Sequence, residues 1–594
     1  MSSIVVFLPG QGPARPEVVR AMAAAAPHRG THVEVAVHGR CALAATNTDG
    51  RTDAVVGVSD GLAIAFNGSL DNVADLARAL AREPAAGAGG EPPPLPDLLA
   101  AGFRAWGEDL PARLRGVFAG AVSDGETVFA FRDHIGYRSL VYRRDAAGFY
   151  AAAEAKQVVA GAGIPRQPDL EVVEHVFYRS ADDDTPCALK GVLRLPKMTG
   201  ITAGDAGTRL RRYWDPASLL ETARFGPDEL KDRFDALMDQ AVSRSLTGRD
   251  AISLSGGIDS PAIAAYAAPR HLELAGRPLQ AVSVVYPRYP SVDESRYVIP
   301  LAEQLGLPLQ TYEQEANPLD DLATWTALAD TPFPGATLAQ YAEDYRRVRG
   351  LGMLGLLTGE HAEFVFAIRW FTLGHLLTHG RFGAARRELA QRRAQGMSLL
   401  GLARLAGRSV APHRVMAARH AIGRRWPPTV PRWVNWHRAA QETPVPVRER
   451  WRRSQLAGFI GPGVALEAEE VCQVVCDIRT RRPWTDIDLW ELFLSLPAEQ
   501  KYPDLRPKGL VRDLLRGRVP DAILDRTDKT VFDEAGLARI DYPTLRRYLV
   551  GQEHRVAGID YAALGELLRA ETLTRIDYEW AKNLAGVHAF LSQW

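Results

Sequence analysis

A glycine-rich hexapeptide that begins at Ser255 and reads Ser-Gly-Gly-Ile-Asp-Ser has the residue types needed to hold a polyphosphate. Gly256 and Gly257 let the backbone approach a ligand with no Cβ in the way, and exposed N–H groups supply partial positive charge. The hydroxyls of Ser255 and Ser260 can donate hydrogen bonds to phosphate oxygens. A carboxylate at Asp259 would repel phosphate, so we predict that it binds Mg²⁺ bridging to the phosphates. No Lys-Ser/Thr pair follows the glycines, which excludes a Walker A loop.

The sequence around the hexapeptide places it between a strand and a helix. Residues 250–254 read as a short buried strand, and residues 261–268 read as a helix. A second strand at 280–286, a second helix at 294–305 and a third apolar run at 354–358 follow. Strands that alternate with helices predict a parallel sheet flanked by helices. The helix after the hexapeptide would add the partial positive charge of its N-terminus.

On this pattern, the hexapeptide resembles the pyrophosphatase (PP) loop of the asparagine synthetase superfamily. Residues 358–363, Thr-Gly-Glu-His-Ala-Glu, resemble that family's Ser-Gly-Glu-Gly-Ala-Asp segment. The resemblance implies that Glu360 is a catalytic acid/base residue. It also implies that Glu363 is a second Mg²⁺ ligand, one methylene longer than the family's aspartate. The alternative is a solvated helix start, where the helix dipole favours carboxylates.

Three later segments also resemble that family, at residues 483–486, 508–512 and 526–532. The last resembles a region that holds a catalytic lysine, which implies that Lys529 stabilises charge on the α-phosphate and on the tetrahedral oxyanion. The alternative is a surface lysine. The resemblance implies ATP and Mg²⁺ as cofactors, with adenine held by backbone near Leu254 and Val284. The residues implied for ATP and pyrophosphate are Leu254, Ser255, Gly256, Gly257, Asp259, Ser260, Val284 and Gly359.

The first half of the chain reads as short strands with a few helices. Motifs at 28–30, 67–72, 132–137 and 153–156 resemble the glutaminase domain of asparagine synthetase. We therefore expect an α/β protein with two domains. Residues 1–212 would form an Ntn-hydrolase-like αββα domain of the class II glutamine amidotransferase type. Residues 213–594 would form a PP-loop ATP pyrophosphatase domain whose parallel sheet is flanked by helices.

The amidotransferase-like domain lacks the nucleophile that the resemblance calls for. That family uses a cysteine directly after the initiator Met, with its own α-amine as the base. Here the residue is Ser2, a far weaker nucleophile, and Ser69 replaces the glutamate of the family's Asn-Gly-Glu. Cys41 lies in mid-chain, where no free α-amine exists. We expect this domain to be inactive and to make no ammonia from glutamine.

Without ammonia, the attacking amine must come with the substrate. By resemblance, two branches of the family do this: β-lactam synthetases and lasso-peptide macrocyclases. The chain looks most like the second, because an insertion rich in Arg, Trp and Pro spans about residues 367–455. An α-amino group has a pKa of about 7.7–8.0, so part of it is neutral in the cell. The insertion's side chains would line a cavity or, alternatively, cover the core with their stems.

We therefore expect ATP-dependent cyclisation of a precursor peptide, in which an Asp or Glu side chain is adenylated and joined to the N-terminal amine. The resemblance implies a leader-peptide-binding protein and a leader peptidase as partners. The alternatives are an ammonia-dependent asparagine synthetase, a β-lactam synthetase-type enzyme and a catalytically inactive nucleotide-binding scaffold.

The composition of the chain limits which partners and which cellular location we expect. A net charge of zero gives no global field for nucleic acid or an anionic membrane, so we expect neither as a partner. No apolar run approaches the ~20 residues of a membrane helix, and the N-terminus lacks a signal pattern. Four cysteines are too few for a disulfide framework, which predicts a reduced, cytoplasmic location. Cys472 and Cys476 would share one helix face as buried structural thiols.

Overall fold

The structure is a computed structural model. It describes residues 2–48, 51–81, 93–178, 185–332, 337–366, 368–412, 429–435, 445–459, 463–526, 530 and 533–594. Parts of the 367–455 insertion lie outside these residues.

Two six-stranded antiparallel sheets form the first half of the chain. Their orders are β10-β8-β9-β1-β3-β2 and β12-β11-β7-β6-β5-β4. The strands are β1 (Ser3–Pro9), β2 (His32–His38), β3 (Cys41–Asn47), β4 (Ala54–Ser59), β5 (Leu62–Leu70), β6 (Gly116–Ser123), β7 (Val128–Arg132), β8 (Val141–Asp145), β9 (Gly148–Ala152), β10 (Leu193–Arg194), β11 (Thr199–Gly204) and β12 (Gly207–Arg212).

Alternating residues send each sheet's side chains into two different cores. Ile4 and Val6 of β1 pack between the sheets, whereas Val5 and Phe7 face the outer helices. Because side chains alternate along a strand, this yields four layers, helix–sheet–sheet–helix, which confirms the predicted αββα arrangement. The helices are α1 (Pro16–Ala24), α2 (Val73–Leu80), α3 (Leu95–Trp106), α4 (Leu110–Arg113), α5 (Ala155–Ala162) and α6 (Leu170–Tyr178).

A five-stranded sheet forms the centre of the second half, with every described pairing parallel. Its order is β15-β14-β13-β16-β17. Ala251 and Ile252 of β13 enter cores on opposite faces, so helices cover both sides, as predicted. The strands are β13 (Asp250–Ser253), β14 (Gln280–Val284), β15 (Leu309–Tyr312), β16 (Gly355–Leu357) and β17 (Arg479–Arg481).

The described helices of this half surround the sheet and extend beyond it. They are α7 (Pro227–Ser245), α8 (Asp259–Ala275), α9 (Ser295–Gln304), α10 (Leu322–Ala329), α11 (Leu338–Gly350), α12 (Ala362–Phe366), α13 (Thr372–Thr378), α14 (Phe382–Ala394), α15 (Leu399–Val410), α16 (Val447–Gln455), α17 (Val464–Cys476), α18 (Ile487–Ser495), α19 (Ala498–Lys501), α20 (Gly509–Leu514), α21 (Asp521–Leu524), α22 (Asp533–Leu537), α23 (Tyr542–Leu549), α24 (Tyr561–Ala570) and α25 (Arg575–Leu591).

Helix α17 joins the two halves through buried carboxylates. Glu467 accepts from Arg194 at 2.7 Å and from Arg132 at 3.2 Å. Glu470 accepts from Arg29 at 2.9 Å and from Arg138 at 3.2 Å. The four arginines belong to the first half of the chain, so burying these charges requires the two halves to dock in one orientation.

The thiols of Cys472 and Cys476 are free and buried in α17, as predicted. Within the described part of the chain, no helix is long and apolar enough to cross a membrane.

We expect Glu470→Gln to lower the free energy of unfolding by about 3 kcal/mol, because it removes the counter-charge of buried Arg138 and one of the two carboxylates paired with buried Arg29. The urea midpoint measures this change. Glu273→Gln is the control, since Glu273 pairs with Arg270 at 2.9 Å on the exposed surface and should change stability by less than about 1 kcal/mol. Equal shifts in the two variants would contradict the role given to the buried pairs.

Candidate active site

The glycine loop lies at the carboxyl edge of the parallel sheet, between β13 and α8. The hydroxyl of Ser260 accepts a hydrogen bond from the Ser255 N–H at 2.9 Å and lies 3.0 Å from the Ser255 hydroxyl. The indole of Trp484 donates to the Asp259 carbonyl at 3.0 Å. These bonds fold the loop back onto the first turn of α8, which begins at Asp259 itself.

One amide of the loop already has a partner. The Gly256 N–H donates to the Glu294 carboxylate at 2.8 Å, and the Gly256 carbonyl accepts from Arg526 at 2.7 Å. A Cβ on Gly257 would meet only the Ser255 hydroxyl, at 3.6 Å, so this side of the loop is open to a ligand. The geometry therefore fits a phosphate on the open side, with Glu294 and Arg526 holding the loop from behind.

The segment after β16 approaches the same loop closely. A Cβ on Gly359 would lie 2.7 Å from the Ser260 nitrogen and 2.9 Å from the Asp259 Cβ, so only glycine fits there. His361 has a φ of +66°, in the left-handed region that favours glycine. This conformation explains why the family's segment has glycine at that position. His361 adopts it while its Nδ1 lies 2.9 Å from the Tyr137 hydroxyl of the first domain.

A cavity of about 700 Å³ opens between these two segments. Side chains from α11 and α17 form its other walls, and Lys197, from the connection between β10 and β11, reaches it from the first domain. Its volume is in the usual range for small-molecule sites. Of the predicted residues, it is lined by Ser255, Asp259, Ser260, Gly359, Glu360 and Glu363.

Glu360 is held by a buried arginine. Arg482, which follows β17, donates from Nε to Glu360 Oε2 at 2.8 Å and also bonds Glu469. The Tyr341 hydroxyl donates to Glu360 Oε1 at 3.3 Å. Burial alone would raise the pKa of Glu360, but the nearby Arg482 charge and hydrogen bonds to the carboxylate lower it overall. Glu360 is therefore ionised at neutral pH.

Asp259 and Glu363 are the two carboxylates of the cavity that the resemblance assigns to a divalent cation. Both line the cavity, and both offer hard carboxylate oxygens of the kind that Mg²⁺ prefers. Glu363 is exposed to the open cavity, yet partial desolvation by the surrounding protein and the Asp259 charge raise its pKa. A bound cation would relieve both effects, so the donor set fits Mg²⁺.

Lys508 was part of a recognised segment but had no predicted role. Its ammonium lies 2.5 and 2.6 Å from the two Asp259 oxygens. Lys508 has a φ of +59° at the start of α20, which turns the chain at that point. The resemblance of residues 508–512 to the family identified Lys508 as part of a shared segment. It could not show that the Lys508 side chain reaches Asp259 in the glycine loop.

The other predicted residues do not line this cavity. Leu254 is a buried residue whose N–H continues the pairing to Val282 O at 2.8 Å, and Val284 ends β14. Gly256 and Gly257 lie in the loop but are not among the residues that line the cavity. The assignment of adenine to Leu254 and Val284 stays a prediction. Lys529 lies outside the described residues.

Sequence reasoning missed the residues that hold Glu360. Tyr341 and Tyr345 occur four apart on α11, and the Tyr345 hydroxyl donates to Glu469 at 2.9 Å. Arg482 directly precedes the segment at 483–486 that resembles the family. A charged residue beside that segment was the sequence signal that could have identified Arg482 as a site residue. Buried Glu469 carried no such signal, because its partner Tyr345 comes from a distant helix and Arg482 from the strand end that follows α17.

Ser2 is enclosed in the first domain. It is fully buried, its hydroxyl donates to Asn67 Oδ1 at 2.7 Å, and its carbonyl accepts from Arg29 at 3.1 Å. Ser69 accepts a hydrogen bond from Arg481 at 2.5 Å, which ties the former glutamine-binding motif to the second domain.

The described arginines and tryptophans of the 367–455 insertion do not line the 700 Å³ cavity. Trp433 and Trp451 are buried, and Arg392 pairs with Glu388 along α14. For this part of the insertion, the structure favours the covering role over the cavity-lining one. Trp426 and Trp436 lie outside the described residues.

An αββα domain of amidotransferase type, followed by a parallel-sheet domain with a glycine loop at its carboxyl edge, defines a class of two-domain ATP-dependent ligases. The asparagine synthase family model matches residues 233–592, and the glutamine amidotransferase domain model matches residues 1–214. The chain belongs to the asparagine synthase family. Its members are ATP-dependent ligases that typically use Mg²⁺ with ATP.

Several proteins are similar to this chain. Asparagine synthetase [glutamine-hydrolyzing] 3 of Bacillus subtilis is 23% identical over 495 residues, covering 79% of this chain and 75% of that protein. A putative asparagine synthetase [glutamine-hydrolyzing] of Mycobacterium bovis is 29% identical over 181 residues, covering 29% and 28%. The solved glutamine phosphoribosylpyrophosphate amidotransferase of B. subtilis covers 52% of this chain and 81% of its own, at 14% identity and a TM-score of 0.26. The strand order and register described above define the fold.

We expect Asp259→Ala to lower ATP-dependent AMP release at least about a hundredfold, the usual effect of losing one preorganised electrostatic group. AMP and pyrophosphate are measured by chromatography. Asp232→Ala, on the exposed face of α7, is the matched control and should retain full activity. Normal turnover by Asp259→Ala would remove this carboxylate from the site.

We expect Ser2→Ala to leave AMP release within about twofold of wild type while lowering stability by about 1 kcal/mol, because one buried hydrogen bond to Asn67 is lost. A glutaminase assay accompanies both variants Ser2→Ala and Ser2→Cys. Glutamine hydrolysis by Ser2→Cys would show that the buried position is accessible after all.

Proposed function

We propose that the chain closes a ring in a precursor peptide, by adenylating an Asp or Glu side chain and joining it to the peptide's N-terminal amine. The observation that carries this proposal is the contrast between the two domains. The cavity of the second domain has an intact constellation of Ser255, Asp259 and Glu360, whereas Ser2 of the first domain is enclosed. An enzyme that activates a carboxylate but has no ammonia source needs an amine carried by its substrate.

The first step joins the substrate carboxylate to the α-phosphorus of ATP and breaks the bond to pyrophosphate. The hydroxyls of Ser255 and Ser260 and the open side of the glycine loop bind the leaving pyrophosphate. Asp259 and Glu363 would hold Mg²⁺, which when bound neutralises phosphate charge. Lys508, beside Asp259, adds a fixed positive charge to the same edge.

In the second step, the amine nitrogen attacks the acyl carbon, a C–N bond forms, and the C–O bond to AMP breaks. The attacking nitrogen loses a proton to Glu360, which must therefore begin ionised. Its lowered pKa makes Glu360 a weak base for a free ammonium, but the proton becomes much more acidic as the C–N bond forms. Arg482 and Tyr341 fix the carboxylate in place, which is an orientation task. Lys529 is assigned by resemblance to the developing negative charge.

A peptide substrate also needs its two ends held together, because closing a flexible loop costs entropy that grows with its length. The cavity supplies one surface for that task. We assign the exposure of the amine to a leader peptidase and delivery of the precursor to a leader-peptide-binding protein. Both partners belong to the proposal.

A second candidate is amidation of aspartate with free ammonia, because the relatives bear the name asparagine synthetase. The experiment incubates the full chain with Mg-ATP and either aspartate plus ammonium or a synthetic peptide that begins with glycine and carries an internal Asp or Glu. Peptide-dependent AMP, with a product lighter than the peptide by one water, supports the proposal. AMP formation with aspartate and ammonium alone overturns it. A β-lactam synthetase-type enzyme would respond only to a small amino-acid derivative. No AMP with any candidate favours a scaffold.

We expect Glu360→Gln to retain ATP–pyrophosphate exchange while ring formation falls at least about a hundredfold, since removal of a general base slows only the second step. Exchange is followed with labelled pyrophosphate and ring formation by mass spectrometry. Glu303→Gln, on the exposed face of α9, is the control. Parallel loss of exchange and ring formation would place Glu360 in nucleotide binding.

A further inference from the structure

Asp344 is a carboxylate in the cavity wall that the steps above do not use. It lies on α11 and lines the same 700 Å³ cavity as Glu360. The Tyr312 hydroxyl donates to Asp344 Oδ1 at 2.7 Å, and the Gln314 side-chain amide donates to the same oxygen at 3.1 Å. Two neutral donors thus fix the carboxylate, and its other oxygen has no donor among the residues that the structure describes.

The described basic side chains near Asp344 do not neutralise its carboxylate. On its own helix, Arg347 bonds Glu343 at 2.7 Å and lies over the ring of Tyr312, 4.5 Å from its centre. No lysine, arginine or histidine in the described ranges forms an ion pair with Asp344. Burial raises the pKa of Asp344 to about 6, and the Glu343 charge adds to this, against the two hydrogen bonds and the Arg347 charge. A carboxylate in this position gains most from a cation that enters with a ligand.

The same face of α11 carries the residues that meet Glu360. Tyr341 precedes Asp344 by three positions, so the two side chains are neighbours on the helix surface. Tyr341 donates to Glu360, and its ring stacks on Tyr345 with centres 6.0 Å apart. Aromatic faces beside a carboxylate favour an ammonium group.

We propose that Asp344 binds the ammonium group of the acceptor amine and places it beside Glu360. The inference rests on the proposed function and adds the feature by which that site recognises its nucleophile. An N-terminal amine is mostly protonated near pH 7, so it enters as a cation. Asp344 is then a binding residue for the charged form. The bound ammonium gives one proton to the Asp344 carboxylate and becomes the neutral amine, and Glu360 accepts the second proton when that amine attacks.

The test is a titration of the full chain with glycinamide, a small α-ammonium compound with no carboxylate, followed by ligand-observed NMR without nucleotide. Wild-type protein should bind glycinamide saturably and should not bind the neutral analogue N-acetylglycinamide. Asp344→Asn keeps the side chain's shape and should weaken glycinamide binding at least tenfold. Asp232→Asn, an exposed carboxylate on α7, should bind like wild type.

A second measurement checks that Asp344→Asn folds. The raised pKa means that the ionised carboxylate destabilises the folded state above about pH 6 and not below the ordinary value of 3.8. Asp344→Asn should therefore raise the melting temperature at pH 8 and lose that gain as the pH falls through 6 towards 4.

Three outcomes overturn the assignment. They are no binding of glycinamide by the wild type, equal glycinamide binding by the wild type and Asp344→Asn, or a loss of glycinamide binding in Glu363→Gln as large as in Asp344→Asn. None of them involves AMP release. If the chain cyclises no peptide, the proposed function is wrong, but the titration result still holds. If the titration fails, the assignment of Asp344 is wrong, but the proposed adenylation step is not contradicted.

Discussion

Pairing of buried charges on one helix is the constraint on which the rest of the structure depends. Helix α17 carries Glu467, Glu469 and Glu470 into the interior, where an unpaired carboxylate costs several kcal/mol. Their partners are five arginines in two domains, and the pairs made by the four arginines of the first domain form only when the domains dock in one way. The partners are Arg29, Arg132, Arg138, Arg194 and Arg482. The same pairing therefore determines both domain orientation and the position of the cavity wall.

This constraint explains what a first domain with an enclosed Ser2 still contributes. Its Arg29 and Arg138 neutralise Glu470, its Tyr137 contacts His361, and its Lys197 reaches the cavity. Removing such a domain would leave α17 with unpaired carboxylates and the cavity without one wall. A domain without its own chemistry can thus stay necessary to its neighbour, because its arginines neutralise carboxylates on the helix that also places Glu469 in the cavity wall.

Local sequence patterns predicted the fold and the glycine loop, whereas ion pairs between residues far apart in the chain could not be predicted from them. The apolar pattern around 250–268 and the glycines at 256 and 257 are local, so β13, the loop and the start of α8 were predicted to within two residues, whereas α8 ends at Ala275, beyond the predicted 268. Helix α8 begins two residues earlier than expected, at Asp259, because the Ser260 hydroxyl folds back onto Ser255. Arg482 follows β17, Glu469 lies thirteen residues earlier on α17, and Arg482 bonds both Glu469 and Glu360, which no spacing rule reveals. Adenine contacts and Lys529 remain predictions.

The cavity's charge pattern links its two substrates. Asp259, Asp344, Glu360, Glu363 and Glu469 bring five carboxylates to its walls, and Arg482 and Lys508 offset part of that charge. A nucleotide without a metal would meet net repulsion here, whereas a divalent cation and an ammonium group would each find unbalanced carboxylates. Arg482 pairs with Glu360 and Glu469 and so keeps the base ionised, and Lys508 pairs with Asp259. Among the described residues, Glu363 and Asp344 are left without an ion-pair partner and can take up charge from ligands. A site that places its surplus carboxylates apart can hold a metal-bound phosphate and a protonated amine at the same time without either competing for the other's charge.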